Sequence, residues 1–204
     1  HMPHNIWSEH SHNGVQLACM RPGSVVDAVA FGLARGLAES SALATRVTLS
    51  SERWWLRRLL FLSMLSSVPA TAPINAMGPR TSRCLQAMLD EARREQARLQ
   101  ILMDLHRVGP AGRGLLRVVQ GTLAQGFALA HVIVPRFCKW FGNYIDEEQV
   151  RAYSLLLDDI DAGRLSEFGS MHASETARKY YTLSEDATLH EVFLRMRAEE
   201  LFSL

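Results

Sequence analysis

Apolar residues recur at every third or fourth position along most of the chain, a spacing that predicts α-helices. The first helix is predicted to begin at Ser24, because Val26, Val29, Leu33 and Leu37 then share one face. The same spacing predicts five further helices, at about residues 51–67, 81–108, 114–134, 141–162 and 189–204. No run of β-branched residues alternates with polar ones, so we expect an all-α fold.

Proline and glycine set the predicted helix ends. Pro69 and Pro73 should end the second helix, because a proline inside a helix lacks a hydrogen-bond donor and clashes with the preceding turn. Pro135 should end or kink the fourth helix. The segment before the first helix is polar and irregular, so we expect an N-terminal arm, 1–23, and one helical domain, 24–204.

The amino-acid composition indicates a globular protein without a disulfide framework. The 204 residues are 48% apolar and 21% charged, with a formal net charge of +1. This composition suits one globular domain and argues against global disorder and against a nucleic-acid partner. The three cysteines are scattered and form no CxxC pair, so a disulfide framework or structural zinc site is not expected. A reducing compartment is therefore favoured.

Two uncharged stretches bear on membrane association. The stretch 59–79 is interrupted by prolines, and the stretch 118–135 contains two glutamines and a histidine, so neither suits a spanning helix. Basic residues flank the second stretch, with Arg117 before it and Arg136 and Lys139 after it. This arrangement suits a helix that lies in a membrane interface, although an ordinary buried bundle helix has the same periodicity.

Carboxylates fall on the predicted inner faces of three helices. Glu95 lies inside the apolar stripe of the third helix, the stripe of the fifth extends to Asp146, and that of the last leads to Glu199 and Glu200. A buried carboxylate needs a cation. Four-helix bundles meet that need with two metal ions, held by a Glu from each of two helices and a Glu-x-x-His pair from each of the other two. Surface charges assigned to the wrong face are the alternative interpretation.

The chain matches that two-metal template only in part. Arg98 follows Glu95 where the template has histidine, and Ser203 follows Glu200 in the same way. The second helix offers Ser63 on its inner face instead of a glutamate.

Several motifs resemble those of the alternative oxidases, membrane-associated di-iron quinol oxidases of mitochondria. LDEARREQARL at 89–99 is similar to the family's LEEAENERMHL, and LSMLSSVP at 62–69 is similar to LETVAAVP. The segment DEEQVRAY at 146–153 resembles the family's third ligand motif, and YTLSEDATL at 181–189 resembles YxLPxDATL. RAEE at 197–200 stands where the family has RADEAHH. The motifs follow the family's order over about 53–200.

The resemblance implies a ferritin-like four-helix bundle with two additional helices. It also assigns roles to residues: remnant metal ligands at Glu95, Asp146 and Glu200, lost ligands at Ser63, Arg98 and Ser203, remnants of the quinol pocket at Arg58 and Leu62, and a tyrosine near the metals at Tyr153.

These departures favour a degenerate, catalytically inactive member of the family. Arginine cannot ligate a metal, but its guanidinium can neutralise carboxylates. We therefore expect Arg98 to take the place of the metals among Glu95, Asp146 and Glu200, with no cofactor bound. The chain would then be a structural or accessory subunit of a complex on the matrix side of the mitochondrial inner membrane, or of another organellar complex. Its partners would be other subunits and membrane lipid.

The alternative function is an active di-iron ubiquinol oxidase that reduces dioxygen to water. Substitute ligands such as Glu91, Glu147 or His106 would then complete the metal site. A third interpretation is a soluble helical adaptor whose similarity to the family is accidental.

Overall fold

The computed structural model describes residues 22–46, 51–76 and 82–203, which form eight helices and no β-strand. The helices are α1 (Val25–Arg46), α2 (Ser51–Ala76), α3 (Ser82–Leu105), α4 (Pro110–Ile133), α5 (Pro135–Asp161), α6 (Ser166–Ser170), α7 (Glu175–Tyr181) and α8 (Leu189–Ser203). The prediction of an all-α fold is confirmed. The predicted arm lies outside the described residues except for residues 22 and 23, which are not helical.

Helices α2, α3, α5 and α8 share the main hydrophobic core. Leu59 of α2, Leu102 of α3, Leu156 of α5 and Phe193 of α8 are all fully buried in it. Helix α2 packs on α3 and α5, and α5 packs on α8. The short helices α6 and α7, which periodicity did not predict, close the bundle against α8 and α3. Helices α2, α3, α5 and α8 are therefore the four-helix bundle that the sequence predicts.

Helix α1 lies against α5 and α2 through a row of small residues. Ala30 and Ala34 are fully buried beside Phe141 and Tyr144 of α5. The first turn is fixed by polar contacts, because Ser24 Oγ accepts a hydrogen bond from the Asp27 amide at 3.2 Å and Tyr144 donates to Asp27 at 2.7 Å. The helix therefore begins where the sequence predicts, with Ser24 as its N-cap.

The predicted end of the second helix at Ser67 is wrong, because α2 runs through Pro69 and Pro73 to Ala76. Each proline removes one hydrogen bond from the helix, so packing must compensate. Pro69 contacts α5 at Gly142, where a Cβ atom would lie 3.2 Å from the Pro69 Cβ. This close contact between two long helices supports the continuation of α2 past a residue that would end an isolated helix.

Pro135 ends α4 and begins α5. It follows Val134, whose non-helical backbone (φ −136°, ψ 70°) breaks the helix. It occupies the first turn of α5, where the backbone N–H that proline lacks would have no partner within the helix. Helix α5 therefore begins six residues before the predicted start at Phe141 and extends across the whole bundle.

Helices α1 and α4 expose apolar side chains. Both pack on α2 and α5 with one face. Their other faces carry exposed aliphatic residues, namely Val25, Val26, Val29, Leu33 and Leu37 on α1 and Leu115, Val118, Leu123, Leu129, Val132 and Ile133 on α4. Within the described ranges, no helix combines the length and apolar character that crossing a membrane requires.

We expect Gly142→Val to lower the free energy of unfolding by about 1–3 kcal/mol, because its side chain would overpack the contact with Pro69. Gly126→Val on α4 is the matched control, since a Cβ there meets nothing within 4 Å. Urea titration followed by circular dichroism measures both changes. Equal stability of the two variants would contradict the packing explanation for the continuous α2 helix.

Candidate functional site

Three carboxylates from three helices converge inside the bundle. Glu95 of α3, Asp146 of α5 and Glu200 of α8 each offer one oxygen, and these atoms all lie within 4.8 Å of one another. Glu95 and Glu200 are buried, and Asp146 is partly buried. We refer to Glu95, Asp146 and Glu200 as the carboxylate triad.

Helix geometry explains why the triad faces inward. On α3, Ala92, Glu95 and Leu99 follow one another at three and four positions, and all three are buried. On α8, Met196 and Glu200 are one turn apart, and both are fully buried. The carboxylates therefore share their helix faces with core residues and reach the interior by periodicity alone.

Arg98 lies among these carboxylates and is only 1% exposed. Its Nη2 donates a hydrogen bond to Glu95 Oε1, and its Nη1 lies 3.0 Å from Glu200 Oε1. Glu199 is a more distant partner at 4.0 Å. Asp146 has a different partner, because its Oδ1 accepts a 2.6 Å hydrogen bond from the Ser66 hydroxyl. Arg98 thus bridges two members of the triad directly.

Burial dominates the electrostatics of the triad. It raises the pKa of Glu95 to about 7, although the positive charge of Arg98 lowers it. Burial also raises the pKa of Asp146 to about 6, against the Ser66 hydrogen bond that lowers it. The pKa of Glu200 lies well above its usual range because of burial and the neighbouring Glu95. In the absence of a bound cation other than Arg98, the triad therefore stays protonated at pH values where carboxylates are normally ionised.

A second polar group adjoins the triad. Ser63, which stands where the family resemblance implies a glutamate ligand, is fully buried and accepts a 3.1 Å hydrogen bond from Gln149. Tyr153 is also fully buried, and its hydroxyl donates to Met196 Sδ at 3.5 Å. Burial and the charge of Glu200 raise the pKa of Tyr153, while Arg98, Ser63 and Gln149 lower it.

Sequence reasoning missed Gln149 and Ser66. Gln149 lies three residues after Asp146 and four before Tyr153, so it shares their helix face. Ser66 lies three residues after Ser63 on α2 in the same way. That spacing could have identified both.

The other candidate residues lie elsewhere. Leu62 is fully buried in the main core, and the Arg58 guanidinium stacks over Trp54 and Trp55 at 5.4 and 5.5 Å. Ser203 is the last residue of α8, and its side chain lies outside the described part of the structure.

None of the substitute ligands proposed from sequence belongs to the triad. Glu147 directly follows Asp146 in sequence. Glu91 lies one turn before Glu95 and forms an ion pair with Arg94. His106 follows the end of α3, where burial and the charges of Arg57 and Arg53 lower its pKa.

A cavity of about 380 Å³ reaches the triad. Glu95 and Asp146 form part of its wall, together with Glu91 and His131. Phe127 and other apolar groups from α2, α4 and α5 line the rest. Two members of the triad are therefore accessible to a small molecule or ion from this side.

The donor set of the triad fits a divalent metal ion. Carboxylate oxygens are hard ligands, and the Oε2 atom of Glu95 is buried without a hydrogen-bond partner. The triad does not supply the six ligand residues of the two-metal template, because Ser63 and Arg98 stand at two ligand positions and the side chain of Ser203 is not described. The residues present therefore suit a metal ion held by carboxylates, and they do not provide the ligands that a complete two-iron centre requires.

Comparison with known proteins identifies the relatives. The family described as Alternative oxidase matches residues 7–202. "Alternative oxidase, mitochondrial" of Wickerhamomyces anomalus is 31% identical over 164 residues, covering 76% of this chain and 48% of that protein. The proteins of the same name from Yarrowia lipolytica (31% over 155 residues, 72% and 44%) and Emericella nidulans (30% over 158 residues, 74% and 45%) are similar. The chain spans about half the length of the curated relatives it matches.

These matches correct one prediction from sequence. We expected a catalytically inactive structural or accessory subunit because ligand residues are replaced at Ser63, Arg98 and Ser203. The relatives are instead named as oxidases, which are enzymes, and the carboxylate triad is assembled. The match over 7–202 likewise excludes an accidental similarity.

We expect Arg98→Ala to lower the free energy of unfolding by about 3–5 kcal/mol, because Glu95 and Glu200 would lose their buried cation. Arg94→Ala is the control on the same helix. It breaks a more exposed pair with Glu91, so its effect should stay within about 1 kcal/mol. Chemical denaturation of metal-free protein measures both. A loss for Arg98→Ala as small as that for Arg94→Ala would show that the buried pairs are not formed.

Proposed function

The chain belongs to the alternative oxidase family, and on that premise we propose that it acts as a quinol oxidase that reduces dioxygen to water. In this reaction two quinols each release two electrons and two protons, and one dioxygen accepts them to give two waters. The observation that carries the proposal is the convergence of Glu95, Asp146 and Glu200 within 4.8 Å, with one wall open to a cavity.

The triad would hold the metal on which such an oxidase depends. A bound iron ion would supply the transfer of electrons to dioxygen. Glu95, Asp146 and Glu200 come from three different helices, so their spacing is fixed by the packing of the bundle. Ser66 orients Asp146 through a 2.6 Å hydrogen bond, which supports a preorganised set of ligands.

The cavity would admit the quinol head group. Its volume of about 380 Å³ falls within the range of small-molecule sites. Phe127 and Pro69 offer apolar contacts for a ring, while Glu91 and His131 can accept hydrogen bonds from its hydroxyl groups. The resemblance assigns quinol contacts to Arg58 and Leu62 as well, and that assignment stays a prediction.

Tyr153 would serve as a proton-holding group beside the triad. Its pKa is raised by burial and by Glu200, so the phenol keeps its proton under ordinary conditions. Leu156 and Phe193 are fully buried near it in the main core and exclude water from this side. A neutral phenol in a dry site can act as a hydrogen-bond donor or as a proton source beside the centre.

We also propose that the chain acts at the matrix face of the mitochondrial inner membrane. The relatives reported above are named as mitochondrial proteins. The exposed apolar faces of α1 and α4 support contact with lipid, since residues such as Val29 and Leu129 are 50% and 64% exposed. Arg117, Arg136 and Lys139 are exposed around α4 and suit anionic headgroups. Other membrane-associated subunits are further proposed partners.

Oxygen consumption with a soluble ubiquinol analogue tests the proposed activity on iron-loaded protein. We expect Asp146→Asn to reduce the rate at least tenfold, because an amide is a weaker ligand than a carboxylate. Asp158→Asn, an exposed carboxylate on the same helix, should leave the rate unchanged. Absence of quinol-dependent oxygen uptake by the folded, loaded wild-type protein would refute the oxidase function.

Binding to vesicles with anionic lipid tests the membrane surface. The double substitution Leu129→Glu and Ile133→Glu should weaken binding at least tenfold, because both side chains are more than half exposed on α4. Leu155→Glu, on an exposed part of α5, is the control and should bind as wild type does. Sedimentation with vesicles measures the bound fraction. Equal binding by all three proteins would place the lipid contact elsewhere.

A further inference from the structure

The charge of the buried centre determines how many metal ions it can accept. In the two-metal template, four carboxylates carry four negative charges, which two divalent ions balance. Here the ionised triad carries three negative charges, and the buried guanidinium of Arg98 contributes one positive charge. The remaining charge equals that of a single divalent ion. A second ion would leave uncompensated positive charge in a low-dielectric interior, which is unfavourable.

The neighbouring charged groups do not change this balance. Lys139 lines the same cavity, but its side chain is exposed, so solvent screens its charge. Glu91 forms an ion pair with Arg94 on the same helix. Glu199 accepts a 2.9 Å hydrogen bond from Tyr181 and lies at the edge of the centre, 4.0 Å from Arg98. Neither belongs to the set of oxygens that lie within 4.8 Å of one another.

A metal ion and the Arg98 guanidinium would use different oxygens of the Glu95 carboxylate. Arg98 binds Glu95 through Oε1, whereas Oε2 of the same carboxylate is buried and accepts no hydrogen bond. Glu95 is 2% exposed, so this oxygen has no bulk water to satisfy it. Both Glu95 and Asp146 border the cavity, which gives an ion a route to them.

We propose that the centre binds one divalent metal ion through Glu95, Asp146 and Glu200, while the Arg98 guanidinium stands where a second ion would otherwise be needed. The ligand class is a divalent ion that accepts oxygen donors, such as Fe²⁺ or Mn²⁺. This inference rests on the proposed oxidase function only in taking the ion to be redox-active.

Metal stoichiometry is the direct test. Full-length protein is stripped with a chelator and titrated with Mn²⁺, and bound metal is measured by equilibrium dialysis and elemental analysis. We expect about one ion per chain, with the electron paramagnetic resonance spectrum of an isolated Mn²⁺. Two ions per chain with a spin-coupled spectrum, or no bound ion, would overturn the proposal.

Paired variants test which residues hold the ion. Glu200→Gln should weaken Mn²⁺ binding at least tenfold, because it removes one carboxylate of the triad. Glu199→Gln changes the neighbouring carboxylate, which is outside the triad, and should bind Mn²⁺ with wild-type affinity. Equal affinities of the two variants would contradict the assigned ligands. Circular dichroism establishes that each variant is folded.

Arg98→Gln tests the role of the fixed charge. Removing a cation beside the ion should tighten Mn²⁺ binding at least tenfold or admit a second ion. Unchanged affinity and stoichiometry would contradict a role for Arg98 in setting the metal count. If this variant does not fold, the metal count of the wild-type protein and the comparison of Glu200→Gln with Glu199→Gln still test the proposal. Oxygen uptake by iron-loaded wild-type protein, with its bound iron counted in the same way, separates the two proposals, since one bound iron ion without activity refutes the oxidase function alone.

Discussion

Arg98 places a full positive charge in the interior of the bundle, and the arrangement of the surrounding helices depends on it. The guanidinium pairs with Glu95 on its own helix and with Glu200 on α8, so it joins two helices that are far apart in sequence. The carboxylates of Glu200 and Glu95 oppose the lowering effect of burial and raise the pKa of Arg98 above its usual value. The charge is therefore permanent, and every neighbouring carboxylate must be arranged around it.

The same charge connects the fold to the chemistry of the site. Three buried carboxylates would repel one another, and their raised pKa values reflect the unfavourable burial of their charge. Arg98 neutralises part of that charge without using the oxygens of Asp146 or Glu95 Oε2. What remains is a site with hard oxygen ligands, a fixed cation on one side and a cavity on the other. Ser66, Gln149 and Tyr153 complete its polar wall.

Periodicity predicted the helices and the inward direction of the triad because both depend on residues a few positions apart. It failed at Pro69, where the contact with Gly142 comes from a helix remote in sequence and outweighs the local preference of proline. Periodicity places Gln149 on the inner face with Asp146 and Tyr153, but its hydrogen bond to Ser63 becomes apparent only once α2 and α5 are packed together. The inactive structural subunit inferred from replaced ligands was wrong, because the relatives are named as oxidases. Substitutions at single positions do not reveal which carboxylates the folded centre still brings together.

The origin of the triad in three separate helices has a consequence for biosynthesis. Glu95, Asp146 and Glu200 are distributed over α3, α5 and α8, so a growing chain carries its third carboxylate only after α8 has been translated. Until then Arg98 pairs directly with Glu95 only, among the members of the carboxylate triad, and the set of three carboxylates is incomplete. The proposed metal site would therefore be complete only in the finished bundle, which would keep a redox-active ion away from a partly folded chain.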